Sequence, residues 1–148
     1  MDKIDREILN EIQSDFPVIE RPYMELGRRL NLSEYEVLER IKNLKHNGII
    51  RRIGGNFDSD KLNFTSTLCA AKVPEDKLDI FVKIVNKHPG VTHNYLRDHE
   101  YNIWFTFIAK SQSEIEKALI KIKEETGIEE IINLPSLKRF KIKVDFEV

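Results

Sequence analysis

Hydrophobic positions in the first third of the chain recur at intervals of three and four: Ile4, Ile8, Leu9 and Ile12, then Leu26 and Leu30, then Val37, Leu38, Ile41 and Leu44. That spacing places each set on one face of a helix and predicts three short helices between residues 2 and 47. Pro22 suits a first helical turn, Ser33 with Glu36 reads as an S-x-x-E capping box, and Gly48 stands where a helix ends in a left-handed residue. Three such helices outline a helix-turn-helix. The run IIRRIGGNF that follows reads as a short strand broken by a glycine pair, in the manner of a wing or a connector, and the domain boundary is expected near residue 60.

Beyond that boundary the period alternates between two and 3.6. A β-type run at 64–73 leads through Pro74 into a helix with Leu78, Phe81, Val82 and Val85 on one face, ended by His88, Pro89 and Gly90. Two further β-type runs, 91–97 and 102–108, flank the polar turn Asp98, His99, Glu100. A second helix carries Ile115, Ala118, Leu119 and Ile122 before Gly127. The clean alternation of Phe140, Ile142, Val144, Phe146 and Val148 predicts the last strand. The expected class is α+β: a winged-helix-like helix-turn-helix domain at 1–60, then a ferredoxin-like βαββαβ domain at 61–148.

Alternation also sorts the candidate chemistry. Strict period two puts Val91, His93, Tyr95 and Arg97 on one face of their strand and Thr92, Asn94 and Leu96 on the other. In the next strand Ile103, Phe105 and Phe107 must lie under the helices, which leaves Asn102, Trp104 and Thr106 on the opposite face. That face, with His99 at the hairpin tip, is a poor core and a good lining for a flat anionic ligand or a partner sheet, because rings stack and Arg and His donate to carboxylates. His46 and His88 sit beside helix ends, where a cation suits the helix dipole, and Cys69 reads as a small core residue.

Charge and composition narrow the function. The 24 Lys and Arg against 25 Asp and Glu give a net charge of -1, which excludes a chain that coats phosphate backbones through bulk positive charge. Within residues 1–55, ten Lys and Arg meet ten Asp and Glu, and the third helix opens on SEYEVLER, with Glu34, Glu36 and Glu39 where phosphates would sit. No specific nucleic-acid binding is expected, although Arg28, Arg29, Arg51 and Arg52 could meet phosphates, and Arg51 and Arg52 could equally meet a carboxylated ligand. One cysteine permits no internal disulfide, and neither an apolar leader nor a long apolar span stands out, so the expected compartment is the cytoplasm, without membrane contact. Metalloprotease, α/β-hydrolase and Walker motifs are absent.

A helix-turn-helix followed by βαββαβ resembles the Lrp/AsnC regulators in architecture. More specific are GVTHNYLRDHEYNIWFT at 90–106, RPY at 21–23, GIIRRIGGNF at 48–57, STLCAAKVP at 66–74 and NLP at 133–135. These runs resemble the siroheme decarboxylases of the alternative haem pathway, with the greatest likeness to their A-type subunit. The resemblance implies removal of carbon dioxide from two acetates of siroheme, giving 12,18-didecarboxysiroheme, with no cofactor beyond the iron-containing tetrapyrrole itself. It also implies a heterodimer with a related B-type subunit.

Siroheme is a flat ring bearing eight carboxylates, so the candidate roles divide accordingly. His93, His99 and Tyr95 are the catalytic candidates. Arg97, Asn94, Asn102, Trp104, Arg51, Arg52 and Arg139 are the substrate-binding ones. The sequence leaves open which histidine is the acid and whether His93 or His99 ligates the substrate's iron; no metal held by protein alone is expected. The alternative from another class is an Lrp/AsnC-type transcriptional regulator whose sheet binds a small effector.

Overall fold

The computed structural model describes residues 1–55, 57–138, 140–141, 146 and 148. Its residues fall into two compact units, Met1–Gly55 with Lys141–Val148, and Asn56–Phe140.

The first unit holds α1 (Lys3–Ile12), α2 (Pro22–Leu30) and α3 (Glu34–His46). Asp2 and Asp5 form a reciprocal capping box at the start of α1, and Asn31 ends α2 in the left-handed region at φ 55°. At α3 only half of the expected box forms. Ser33 accepts the Glu36 N–H, while the Glu36 carboxylate turns to Arg40. The predicted helical stripes meet in a core of Ile8, Leu26, Val37, Ile41, Leu44 and Ile50. The expected strand after Gly48 does not form among the described residues; instead Ile49 and Ile50 both donate backbone N–H groups to the Leu44 carbonyl, wrapping the chain over the end of α3.

The second unit holds β1 (Thr65–Ala71), α4 (Leu78–Asn86), β2 (Val91–Leu96), β3 (Ile103–Ala109), α5 (Gln112–Thr126) and β4 (Ile131–Pro135). Ser111 caps α5 and Gly127 ends it at φ 66°. The strands form one antiparallel sheet in the order β2-β3-β1-β4, the ferredoxin-like arrangement. One face is sealed: Cys69, Ile103, Phe105 and Phe107 pack against Phe81, Val85, Ile115 and Ile122. Burial pushes the Cys69 thiol up to about 12, as suits a core residue.

The fourth strand in chain order is one that alternation did not pick out. Ile131–Pro135 takes the edge beside β1, pairing Leu68 with Leu134 and Ala70 with Ile132. Of the expected strand at 140–148, residues 142–145 and 147 lie outside the described residues, as does Arg139. Phe146 and Val148 belong to the first unit, where the Gln13 amide exchanges two hydrogen bonds with the Phe146 backbone and Asn10 donates to the Val148 carbonyl. No described helix is long and apolar enough to cross a membrane.

Candidate functional site

The site is built on the open face of the sheet, and a β-bulge decides who stands there. Val91 pairs with Phe107, but the next pair is His93 with Thr106, followed by Asn94 with Phe105, Tyr95 with Trp104 and Leu96 with Ile103. Thr92 is therefore surplus to the ladder. Strict alternation would put Val91 beside His93; the bulge instead sends Val91 into the helix-covered core and brings Thr92 round to His93.

Three groups follow one another along β2. The His93 and Tyr95 rings stack with centroids 6.1 Å apart, and the Arg97 guanidinium lies 5.7 Å from the Tyr95 centroid. All three are exposed, and Arg97 has no carboxylate partner among the described residues. A second cluster forms at the hairpin, where His99 stands 6.4 Å from the Tyr101 ring and 6.3 Å from Trp104, whose indole N–H donates to the Tyr101 carbonyl at 2.6 Å. Lys72 steadies the hairpin through Glu100 at 2.6 Å and holds the Glu100 carboxyl below its ordinary value.

The two histidines are held differently. His99 Nδ1 accepts the Tyr101 backbone N–H at 3.0 Å, so the neutral ring carries its proton on Nε2. His93 Nδ1 lies 3.1 Å from Thr92 Oγ1 and 3.3 Å from Thr106 Oγ1, and those hydroxyls are 2.7 Å from each other. A hydroxyl can donate or accept, so this contact fits either tautomer.

Not every predicted site residue joins them. Asn94 lies on the helix side of the sheet, where its amide nitrogen donates to Asn86 Oδ1 at 2.9 Å. Asn102 has both ends of its amide engaged by the Val73 backbone. Arg51 and Arg52 belong to the first unit, where they line an apolar cavity of about 650 Å³ with Leu9, Ile12, Phe16 and Ile53. The residues that the sequence left without a role are Thr92, Thr106 and Tyr101. Thr92 was hidden because no pattern announces a bulge. The open face continues across β1 and β4 as Leu68, Ile132 and Leu134, with Leu68 and Leu134 exposed. No group of three or more metal-ligating side chains occurs among the described residues.

Four arginines of the helix-turn-helix are held in ion pairs within the unit. Arg28 pairs with Glu25, Arg29 with Glu11, Asp15 and Glu25, Arg40 with Asp2, Asp5 and Glu36, and Arg21 with Glu34. Most of the unit's guanidinium charge is already met by its own carboxylates.

Residues 61–141 match the family model of the AsnC-like ligand binding domain, and residues 5–51 match that of the siroheme decarboxylase NirDL-like HTH domain. The chain is 58% identical to the siroheme decarboxylase alpha subunit of Desulfovibrio desulfuricans over 148 residues, covering all of this chain and 85% of that one. It is 34% identical to the siroheme decarboxylase NirDL subunit of Paracoccus denitrificans, covering 99% of this chain but 44% of that one. The crystal structure of siroheme decarboxylase NirDL in co-complex with an iron-uroporphyrin III analogue superposes with a TM-score of 0.68 at 34% identity, covering 90% of this chain and 44% of that one.

Proposed function

Since this chain belongs to the siroheme decarboxylase family, we propose that it is the alpha-type subunit of such an enzyme and that the open sheet face carrying His93, Tyr95 and Arg97 is where the tetrapyrrole is held. The observation that carries this reading is an exposed row of imidazole, phenol and a guanidinium without a carboxylate partner among the described residues, on the sheet of a chain 58% identical over its 148 residues to a siroheme decarboxylase subunit. An aromatic wall fits the flat macrocycle, and an exposed guanidinium fits its carboxylates through bidentate hydrogen bonds. The regulator alternative has less support, because Arg21, Arg28, Arg29 and Arg40 of the helix-turn-helix are bound up in internal ion pairs.

The chemistry asked of the site is modest. Each acetate loses carbon dioxide and gains one proton to become a methyl group. Protonation of the adjacent ring carbon supplies the electron sink, so the reading needs no cofactor beyond the iron tetrapyrrole and yields 12,18-didecarboxysiroheme from two acetates. His93 is assigned as the acid, since its hydroxyl neighbours accommodate Nδ1 with or without a proton, whereas His99 Nδ1 faces a backbone N–H that only donates. Tyr95 flanks that acid. Arg97 anchors a carboxylate, Trp104 walls the ring, and His99 offers its Nε2 proton to substrate. The assembled enzyme is read as cytoplasmic.

A related B-type subunit completes the assembly. Support comes from the exposed Leu68 and Leu134 beside the site, which a second sheet would cover, and from relatives of more than twice this length, which have room for two such units. The test is anaerobic incubation with siroheme, with and without the B-type chain, followed by mass analysis. Loss of two carbon dioxide equivalents with the partner present is expected, and no loss would overturn the reading. Light scattering of the two chains together at micromolar concentration should show the heterodimer.

A further inference from the structure

The bulge in β2 has a chemical product. By spending a residue the ladder does not use, it sets the Thr92 hydroxyl 2.7 Å from that of Thr106 on the neighbouring strand, with His93 Nδ1 within 3.1 and 3.3 Å of the two. Thr106 is also the cross-strand partner of His93. The imidazole is thus held from its own strand and from the next, on one nitrogen only. Its other flank is Tyr95, stacked at 6.1 Å.

We infer that Thr92 and Thr106 are positioning residues for the decarboxylation. Their paired hydroxyls fix the His93 ring by Nδ1 so that Nε2 is the nitrogen presented to the substrate. The inference rests on the reading of this face as the decarboxylation site. Its physical basis is the two-way character of a hydroxyl. When the ring is protonated, Nδ1–H donates to a threonine oxygen; when Nε2 has given up its proton, the same contact persists, with Nδ1–H still donating or, after tautomer exchange, with a threonine O–H donating to Nδ1. The ring therefore need not turn during turnover. A carbonyl in place of the hydroxyls would hold only the Nδ1–H form, and a backbone N–H only the bare nitrogen, which is the situation of His99. Two hydroxyls also constrain the ring in two directions, and the stacked tyrosine supplies a third.

Valine is isosteric with threonine and favours strands, so the fold should tolerate the replacement. In the complex with the B-type chain, T92V/T106V should lower kcat about 10- to 100-fold, the range found when an outer hydrogen-bond partner is lost, and leave the KM for siroheme within about twofold. T92S/T106S, which restores both hydroxyls, should recover most of the rate. An unchanged kcat, a change confined to KM, or a rate that serine does not restore would overturn the inference.

A second readout needs no turnover. In the full chain labelled with 15N-histidine, at a pH where the rings are neutral, the His93 Nδ1 resonance should move in T92V/T106V and return in the serine variant, while that of His99 stays. An unmoved His93 resonance would overturn the inference. If the wild-type assembly released no carbon dioxide, the decarboxylase reading would fall, and the nitrogen resonances would decide whether the threonines hold the ring.

Discussion

Asn102 clasps Val73: the Val73 N–H donates to Asn102 Oδ1 at 2.9 Å, and Asn102 Nδ2 donates back to the Val73 carbonyl at 2.8 Å. The pair lies just past the last β1–β3 partners, Ala71 and Ile103, and extends the ladder with a side chain where backbone no longer reaches. Asn102→Ala would leave two partly buried backbone groups unpaired. The expected cost is about 1–3 kcal/mol, measured by urea unfolding, with siroheme affinity in a spectral titration unchanged at temperatures where the variant is folded.

The active-face residues should separate by kind of defect. His93→Ala should lower kcat by about 10²- to 10⁴-fold, the span of general acid catalysis, and His99→Ala by less, both with wild-type circular dichroism because neither ring is part of the core. Arg97→Ala should instead weaken siroheme binding, with Arg97→Lys restoring it only in part, since an ammonium lacks the planar fork. Anaerobic kinetics and a spectral titration on the same preparations distinguish the two patterns.

The first unit should lose stability in acid through Glu25. Hydrogen bonds from Arg28 first, and from Arg29 next, lower its carboxyl from an ordinary 4.5 to about 2. A carboxyl depressed on folding stabilises the native state above its unfolded value, and that contribution disappears as pH falls from 4.5 through 2. Glu25→Gln should flatten this part of the stability profile, as followed by denaturant unfolding at a series of pH values.

DNA binding should stay in the non-specific range, with Kd of roughly 10⁻⁴ to 10⁻⁶ M at physiological salt. Arg21, Arg28, Arg29 and Arg40 would have to leave carboxylates before they could release counterions from a duplex. A protected footprint at nanomolar protein would contradict this and revive the regulator reading.

How far the sequence could be read depended on which rule governed each segment. The helices were visible because their stripes and caps are local: Pro22 opens α2, Ser33 caps α3, and Gly48 and Gly127 adopt the left-handed conformation that ends a helix. The first three strands were placed within about two residues. β4 was missed because IINLP is short, ends in proline and scarcely alternates, while 140–148 alternates better; alternation reports an amphipathic strand but not which neighbour it pairs with. His93, Tyr95, Arg97 and Trp104 were legible as one face. Val91 and Thr92 were not, since a bulge breaks period two, and the amide of Asn102 was spoken for by a long-range backbone contact that no local pattern contains.

β2 contains six residues but makes five pairs with β3. In genetic terms Thr92 behaves as an insertion that the sheet has absorbed. Excising its single codon would restore an unbroken ladder with Val91 still under the helices and His93 and Tyr95 still on the open face. Such a chain would keep its architecture and give up one hydroxyl, so here the length of one strand carries chemistry that the fold does not require.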